Sequence, residues 1–270
     1  MDATTLHWTA RHYLAQRAAD LRAAYVRLPN AGRRVDEHTY TAEAKRTIPR
    51  YNVVDAILEE VERLDPDHLP GIEVLTRALF TAAEVADSVF TKPPGGEIEA
   101  QAMADERRLF SANVQRWREQ PTLRAEPLPY RRVLTPQEGS TWRASLQRRW
   151  GVQGGLWHPM LSSPTPPDVL VVHGESMWEE DGVNHVHQVL QRLKRPRVAE
   201  LREYGPDYVL DVVTVAPRYT GAEGLWTDEH DDWIAYASHE GTVAFGGVLA
   251  TGLMTTWPAV DSWRWPEPQR

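Results

Sequence analysis

Two short stretches bring a histidine, a carboxylate and a hydroxyl within four residues of one another: His173-Gly174-Glu175-Ser176 and Ser238-His239-Glu240-Gly241. Such sets suit proton transfer, because imidazole titrates near neutrality and a neighbouring carboxylate fixes its tautomer. His173 and Glu175 end an apolar run and share one face at a strand's period of two. A third stretch, Asp228-Glu229-His230-Asp231-Asp232, adds carboxylates and a histidine, and six of the ten histidines fall between positions 158 and 239. Histidine and carboxylate together suit a divalent metal ion. One reading is therefore a metal-dependent hydrolase using His173, Glu175, His230 and Asp231.

Each of these stretches also has an ordinary structural explanation. Val186, Val189, Leu190 and Leu193 form a helical stripe, which sets His185 and His187 roughly 200° apart, too far round the helix to share a metal. Asn184 is placed to cap that helix. The acidic stretch lacks the alternating Asp/Asn and the glycine of a calcium loop, and it reads as a solvated turn ahead of a strand. Gly174 to Trp178 has the outline of a nucleophile elbow, but Trp178 stands where the sharp turn requires glycine. The glycine pairs at 95–96, 154–155 and 246–247 fit neither a phosphate loop nor a dinucleotide fingerprint. His239 and Glu240 fall at a hairpin tip, where turn residues are expected. They become functional only if the tip folds back beside His173, giving two His–Glu pairs around one cleft. Gly241 there is expected at positive φ, in a type I turn followed by a bulge.

Composition narrows the classes. The 270 residues carry 30 Lys+Arg against 38 Asp+Glu, a net charge of −8, which disfavours broad binding to a phosphate backbone. No cysteine is present, so disulfides, thiolate metal sites and a cysteine nucleophile are excluded. No apolar run approaches the length of a membrane span, and the N-terminus lacks the apolar core of a secretory signal. The cationic residues are mainly arginine, as in GC-rich genomes. The expectation is a soluble, cytoplasmic, bacterial protein. With 41% hydrophobic and 25% charged residues it has ample material for a packed core.

Nine of the eleven tryptophans lie after position 125, and Pro121, Pro127 and Pro129 interrupt the chain near the point of change. This predicts a helical bundle over 1–120, a linker over 121–129 and an antiparallel α+β domain over 130–270. In the first domain, Leu14, Ala18, Leu21, Ala24 and Tyr25 share a helical face. Further helices are expected from just after Pro49 to Leu64, over 72–90 and over 97–118, the last with Met103, Leu109, Phe110 and Val114 as core. In the second, strands are expected over 130–134, 156–160, 169–173, 198–204, 208–215, 233–237 and 242–245. Helices are expected over 184–194 and 248–256. Another begins at Thr135-Pro136-Gln137-Glu138, which fits a capping box, and carries Trp142, Leu146 and Trp150.

The tryptophans are the least ordinary feature, because large amphipathic rings dominate binding surfaces as well as cores. Trp257, Trp263 and Trp265 sit in a proline-containing tail that needs a groove, and they are the candidate binding residues. The best-supported reading is a non-catalytic binding or regulatory protein working through protein–protein contacts. Its partner is expected to be another protein, possibly basic, in the way that bacterial immunity proteins neutralise toxins, an analogy of charge alone. No cofactor and no nucleic acid are expected under this reading. The hydrolase, with a divalent metal ion, is the alternative.

Overall fold

The structure, a computed structural model, describes residues 1–28, 33–34, 39–92, 95–159, 166–178 and 180–266. The chain is α+β: a helical N-terminal part is followed by an antiparallel sheet with helices. It divides into two compact units, Met1–Leu128 and Pro129–Arg270. No helix among the described residues is long and apolar enough to cross a membrane.

The first unit is built from α1 (Ala3–Arg27), α2 (Ala42–Val61), α3 (Ile72–Val85) and α4 (Glu97–Arg118). The Asp2 side chain accepts from the Thr5 amide at 2.7 Å and starts α1. Leu6, Ala10, Leu14 and Leu21 point into a core shared with Val53, Ile57, Leu75, Leu79, Phe110 and Val114. Helix α2 does not wait for Pro49. The Thr41 hydroxyl caps it by accepting from the Ala44 amide at 3.2 Å, and Pro49 lies inside. A cap and a buried face thus outweigh the one hydrogen bond that proline removes. Helix α3 stops at Val85 rather than at Phe90. The Arg107 guanidinium donates to the carbonyls of Ala83 and Ala86, which satisfies acceptors that another turn would have used. Beyond it the Ser88 amide donates to the Thr91 hydroxyl at 2.7 Å. Helix α4 has the expected bounds, but Leu109 is 40% exposed while Glu106 is buried beneath the Arg17 and Arg50 guanidinium groups.

The second unit is a seven-stranded antiparallel sheet of order β1-β4-β3-β5-β6-β7-β2. The strands are β1 (Arg131–Val133), β2 (Val169–His173), β3 (Arg197–Arg202), β4 (Tyr208–Asp211), β5 (Gly224–Thr227), β6 (Trp233–Ala237) and β7 (Thr242–Gly247). Helix α5 (Pro136–Trp150) opens with the expected capping box: Thr135 accepts from the Glu138 amide, and the Glu138 carboxylate accepts from the Thr135 amide. One sheet face carries Val171, Ala244, Tyr236, Leu225 and Leu201 toward Leu146 of α5 and Trp157. The other carries Leu170, Val172, Val243 and Phe245 toward α6 (Glu180–Arg192) and α7 (Val248–Thr256). A Cβ on Gly246 would meet Trp150 and Trp157 at 2.9 Å, so the first of these faces depends on a bare backbone there.

Several expected elements change. Strand β5 lies at the centre of the sheet and was not expected. All four of its residues are buried, so it shows no alternation of polar and apolar positions. The stretch 156–160 forms only a bridge between Gln153 and Leu156, and Met160 lies outside the described residues. Strand β4 ends at Asp211, whose side chain accepts from the Val213 amide at 3.2 Å and starts a short 3-10 turn instead of continuing to 215. Helix α6 spans Glu180–Arg192, so Asn184 lies inside it and is not its cap.

Candidate functional site

The register places a row of polar residues across one end of the sheet. His173 pairs with Thr242, and the Ser238 amide donates to the Thr242 carbonyl at 3.0 Å. One step beyond the Gly224–Ala237 pair sets Glu223 opposite Ser238, and the Glu203 amide donates to the Glu223 carbonyl at 2.9 Å. These residues continue the face of Val171, Ala244, Tyr236, Leu225 and Leu201. Where the apolar rows stop, this polar row begins.

Next to it is a cavity of about 360 Å³. His173, Glu175, His239 and Glu240 all line it, together with Thr242 and Trp265. The pairing of β2 with β7 sets the hairpin tip beside His173, and the Gly174 amide donates to the Gly241 carbonyl at 2.7 Å. Gly241 takes φ 75°, and its amide donates to the Ser238 carbonyl at 3.3 Å, the turn-and-bulge geometry expected from composition. A short 3-10 turn, Gly174–Met177, directs Glu175 to the cavity, and there the Ser176 hydroxyl is buried and donates to the His173 carbonyl at 2.7 Å. This fixes Ser176 as a structural group, not an elbow nucleophile.

The side chain that organises the site was not among the candidates. Glu223 is 3% exposed and accepts from the Tyr236 hydroxyl and from Nδ1 of His239. Burial pushes its carboxyl up, but the hydrogen bonds from Tyr236 and His239 outweigh it and hold the group below its ordinary range. The same contacts act on the donors. Burial and then the Glu223 carboxylate push the Tyr236 hydroxyl well above its usual value. The hydrogen bond to Glu223 raises the His239 imidazole, with Glu240 adding to the effect. With Nδ1 committed to Glu223, Nε2 of His239 turns outward, 3.2 Å from Oε1 of Glu240. Tyr236 also lies near His158, with the hydroxyl 3.5 Å from Nε2. A carboxylate-oriented imidazole can bind a polar ligand or relay a proton. The sequence signal for Glu223 is Gly221-Ala222-Glu223-Gly224, a glycine-flanked turn leading into β5.

The other candidates lie elsewhere. Trp265 reaches the cavity, its ring centroid 4.7 Å from that of His173, and its amide donates to the Val171 carbonyl at 2.9 Å, covering part of the free edge of β2. Trp257 is buried and stacks on His185 with ring centroids 5.5 Å apart, and Trp263 packs half-buried against the same core. His187 donates from Nε2 to the Val215 carbonyl at 2.7 Å, so the two helix histidines face different partners. His230 and Asp231 precede β6 while His239 follows it. A five-residue strand rising about 3.3 Å per residue separates them, so the set His173, Glu175, His230 and Asp231 does not form one site. Nor is the acidic stretch a solvated turn throughout. Asp228 is 3% exposed, accepts from the Trp233 indole at 2.7 Å and pairs with Arg195 at 3.4 Å, while Asp232 takes Arg195 at 2.7 Å. Asp231, at φ 55°, accepts from the Ser145 hydroxyl. Among the described residues, no group of three or more His, Cys, Asp or Glu is placed to hold a metal ion. Compared with family models, curated proteins and solved structures, the chain matches none.

Proposed function

We propose that this is a non-catalytic binding protein acting through protein–protein contacts, and that its partner docks over the cleft bounded by His173, Glu175, His239 and Glu240. One observation carries the reading: the carboxylates at the mouth of this cleft are left over after the fold has satisfied its own polar groups. The Glu175 carboxylate makes no hydrogen bond or ion pair with any described residue, and the Glu240 side chain is 62% exposed, its carboxylate meeting only the His239 ring among the described residues. Exposed aromatic rings border the same opening, Trp178 at 58% and Tyr219 at 38%. Carboxylates without an arginine or lysine partner, beside exposed aromatic surface, suit a basic protein partner, and the chain's net charge of −8 steers such a partner inward. Neutralising a basic toxin or nuclease is one role of this kind.

The test is site-specific photo-cross-linking in extracts of the native cell. A photoreactive residue replaces Tyr219 at the cleft, or Glu229 at the opposite end of the sheet as control. The reading expects one discrete protein adduct from position 219, absent in high salt and absent when Glu175→Gln and Glu240→Gln are combined. An equal adduct from position 229, or none from 219, sinks it. Stoichiometric metal in the purified protein together with hydrolytic turnover would favour the enzyme instead.

A further inference from the structure

Beyond a partner of basic character, the cleft indicates which group of the partner enters it. We infer that it takes the guanidinium of an arginine side chain on the partner's surface. This deepens the binding reading above and rests on it.

Charge comes first. Glu175 and Glu240 line the cleft, and the buried Glu223 holds His239 from behind it. His239 is already tied to Glu223, and the Arg218 guanidinium is taken up by the Trp178 ring, its carbon 4.4 Å from the ring centroid. Among the described residues no Lys or Arg pairs with the Glu175 or Glu240 carboxylate, so a cationic ligand has two carboxylates to meet. An acidic cluster alone would be ordinary surface. A second observation is independent of charge: Thr242 lines the cavity, is 2% exposed, and its hydroxyl oxygen has no hydrogen-bond partner. Buried hydroxyls in folded proteins are almost always paired, so this one marks a position where an incoming donor is expected.

The shape of the site favours guanidinium over ammonium. Guanidinium is planar, carries five N–H donors in a fixed fork and stacks on aromatic faces, whereas ammonium is a compact and strongly hydrated point charge. The acceptors here are spread over two carboxylates and a hydroxyl, flanked by the Trp265 and His173 rings. The rim already contains a guanidinium stacked on an indole, that of Arg218 on Trp178.

The test is a nuclear magnetic resonance titration of the full chain with the tripeptide Ac-Gly-Arg-Gly-NH2. Its lysine and citrulline counterparts and free agmatine form the other arms. The arginyl peptide is expected to give saturable shifts at the Trp265 indole and the Thr242 amide, the lysyl peptide weaker ones, and the uncharged citrullyl peptide none. Combining Glu175→Gln with Glu240→Gln should weaken the arginyl peptide about tenfold, and Thr242→Val, which keeps the shape and removes the hydroxyl, about threefold. Each variant should keep an unchanged melt. No saturable shift with the arginyl peptide, or an equal response to citrulline, overturns the inference. Much tighter binding of agmatine than of the peptide also overturns it, in favour of a small cationic ligand. The two proposals fail separately. A cross-link at position 219 that persists while the peptide fails leaves the partner and removes the arginine. Peptide binding without any cross-link keeps the cation site and removes the protein partner.

Discussion

The two ends of one sheet show how similar side chains come to do different work. Ahead of β6, Asp228 and Asp232 close on Arg195, and Asp228 also holds the Trp233 indole. Past the other end of β6, Glu223 is satisfied by Tyr236 and His239, but Glu175 and Glu240 remain at the mouth of a cavity. In sequence the first end is the more acidic. In the fold a buried arginine packs between two of its aspartates, Asp228 and Asp232, while Glu175 and Glu240 at the sparser end meet no arginine or lysine among the described residues. Residue type alone therefore does not mark a site. What matters is whether a counter-group is packed within reach.

The largest expected effect is at the closed end. Replacing Asp228 and Asp232 together by Asn leaves the Arg195 cation buried at 8% exposure with both of its partners neutralised. Breaking a buried pair on one side costs about 3–5 kcal/mol, read from the denaturant midpoint. A change under about 0.5 kcal/mol would show that this end is not held by its ion pairs and would dissolve the comparison. Next comes Tyr236→Phe at the open end. It removes one of Glu223's two side-chain donors while the carboxylate stays buried, at a cost of about 1–3 kcal/mol. The Glu223 carboxyl should titrate higher than in the parent protein.

Gly241→Ala forces a Cβ into φ 75° and should cost about 1 kcal/mol, since nothing crowds the position and only backbone strain opposes it. A neutral result would mean that the turn has rearranged and that His239 need not face Glu223.

The pH dependence sharpens the open end further. His239 is raised above 6.5 by Glu223, so its contribution to stability is whole below pH 6.5 and is lost as pH rises through its folded value. Glu223 is lowered below 4.5, so its contribution is whole above pH 4.5 and is lost as pH falls through its folded value. The pair is intact between the two. The His239 ring should show a midpoint above 6.5 by nuclear magnetic resonance, and Glu223→Gln should return it toward 6.5. A midpoint that does not move in that variant would detach His239 from Glu223.

Local chemistry made much of this molecule legible. The capping box at Thr135 and Glu138, the bounds of α4, the buried run of β2, the hairpin at Gly241 and the helix that begins at Val248 all follow from side chains acting on their own neighbourhood. The pairing of His173 and Glu175 with His239 and Glu240 was visible as a possibility, because both stretches end strands. Non-local interactions decided the rest. Helix α3 ends where Arg107 of another helix meets its carbonyls, and Pro49 is tolerated because the face on which it interrupts the helix is held by a core. Strand β5 carries no periodicity, since both of its faces are covered, and its neglect hid Glu223. Sequence by itself determined which segments could turn, cap or extend, because those preferences act over three or four residues of backbone. Only the tertiary structure decided which carboxylates are neutralised and which stay open, because that depends on what the sheet register brings within hydrogen-bonding distance from residues far apart along the chain.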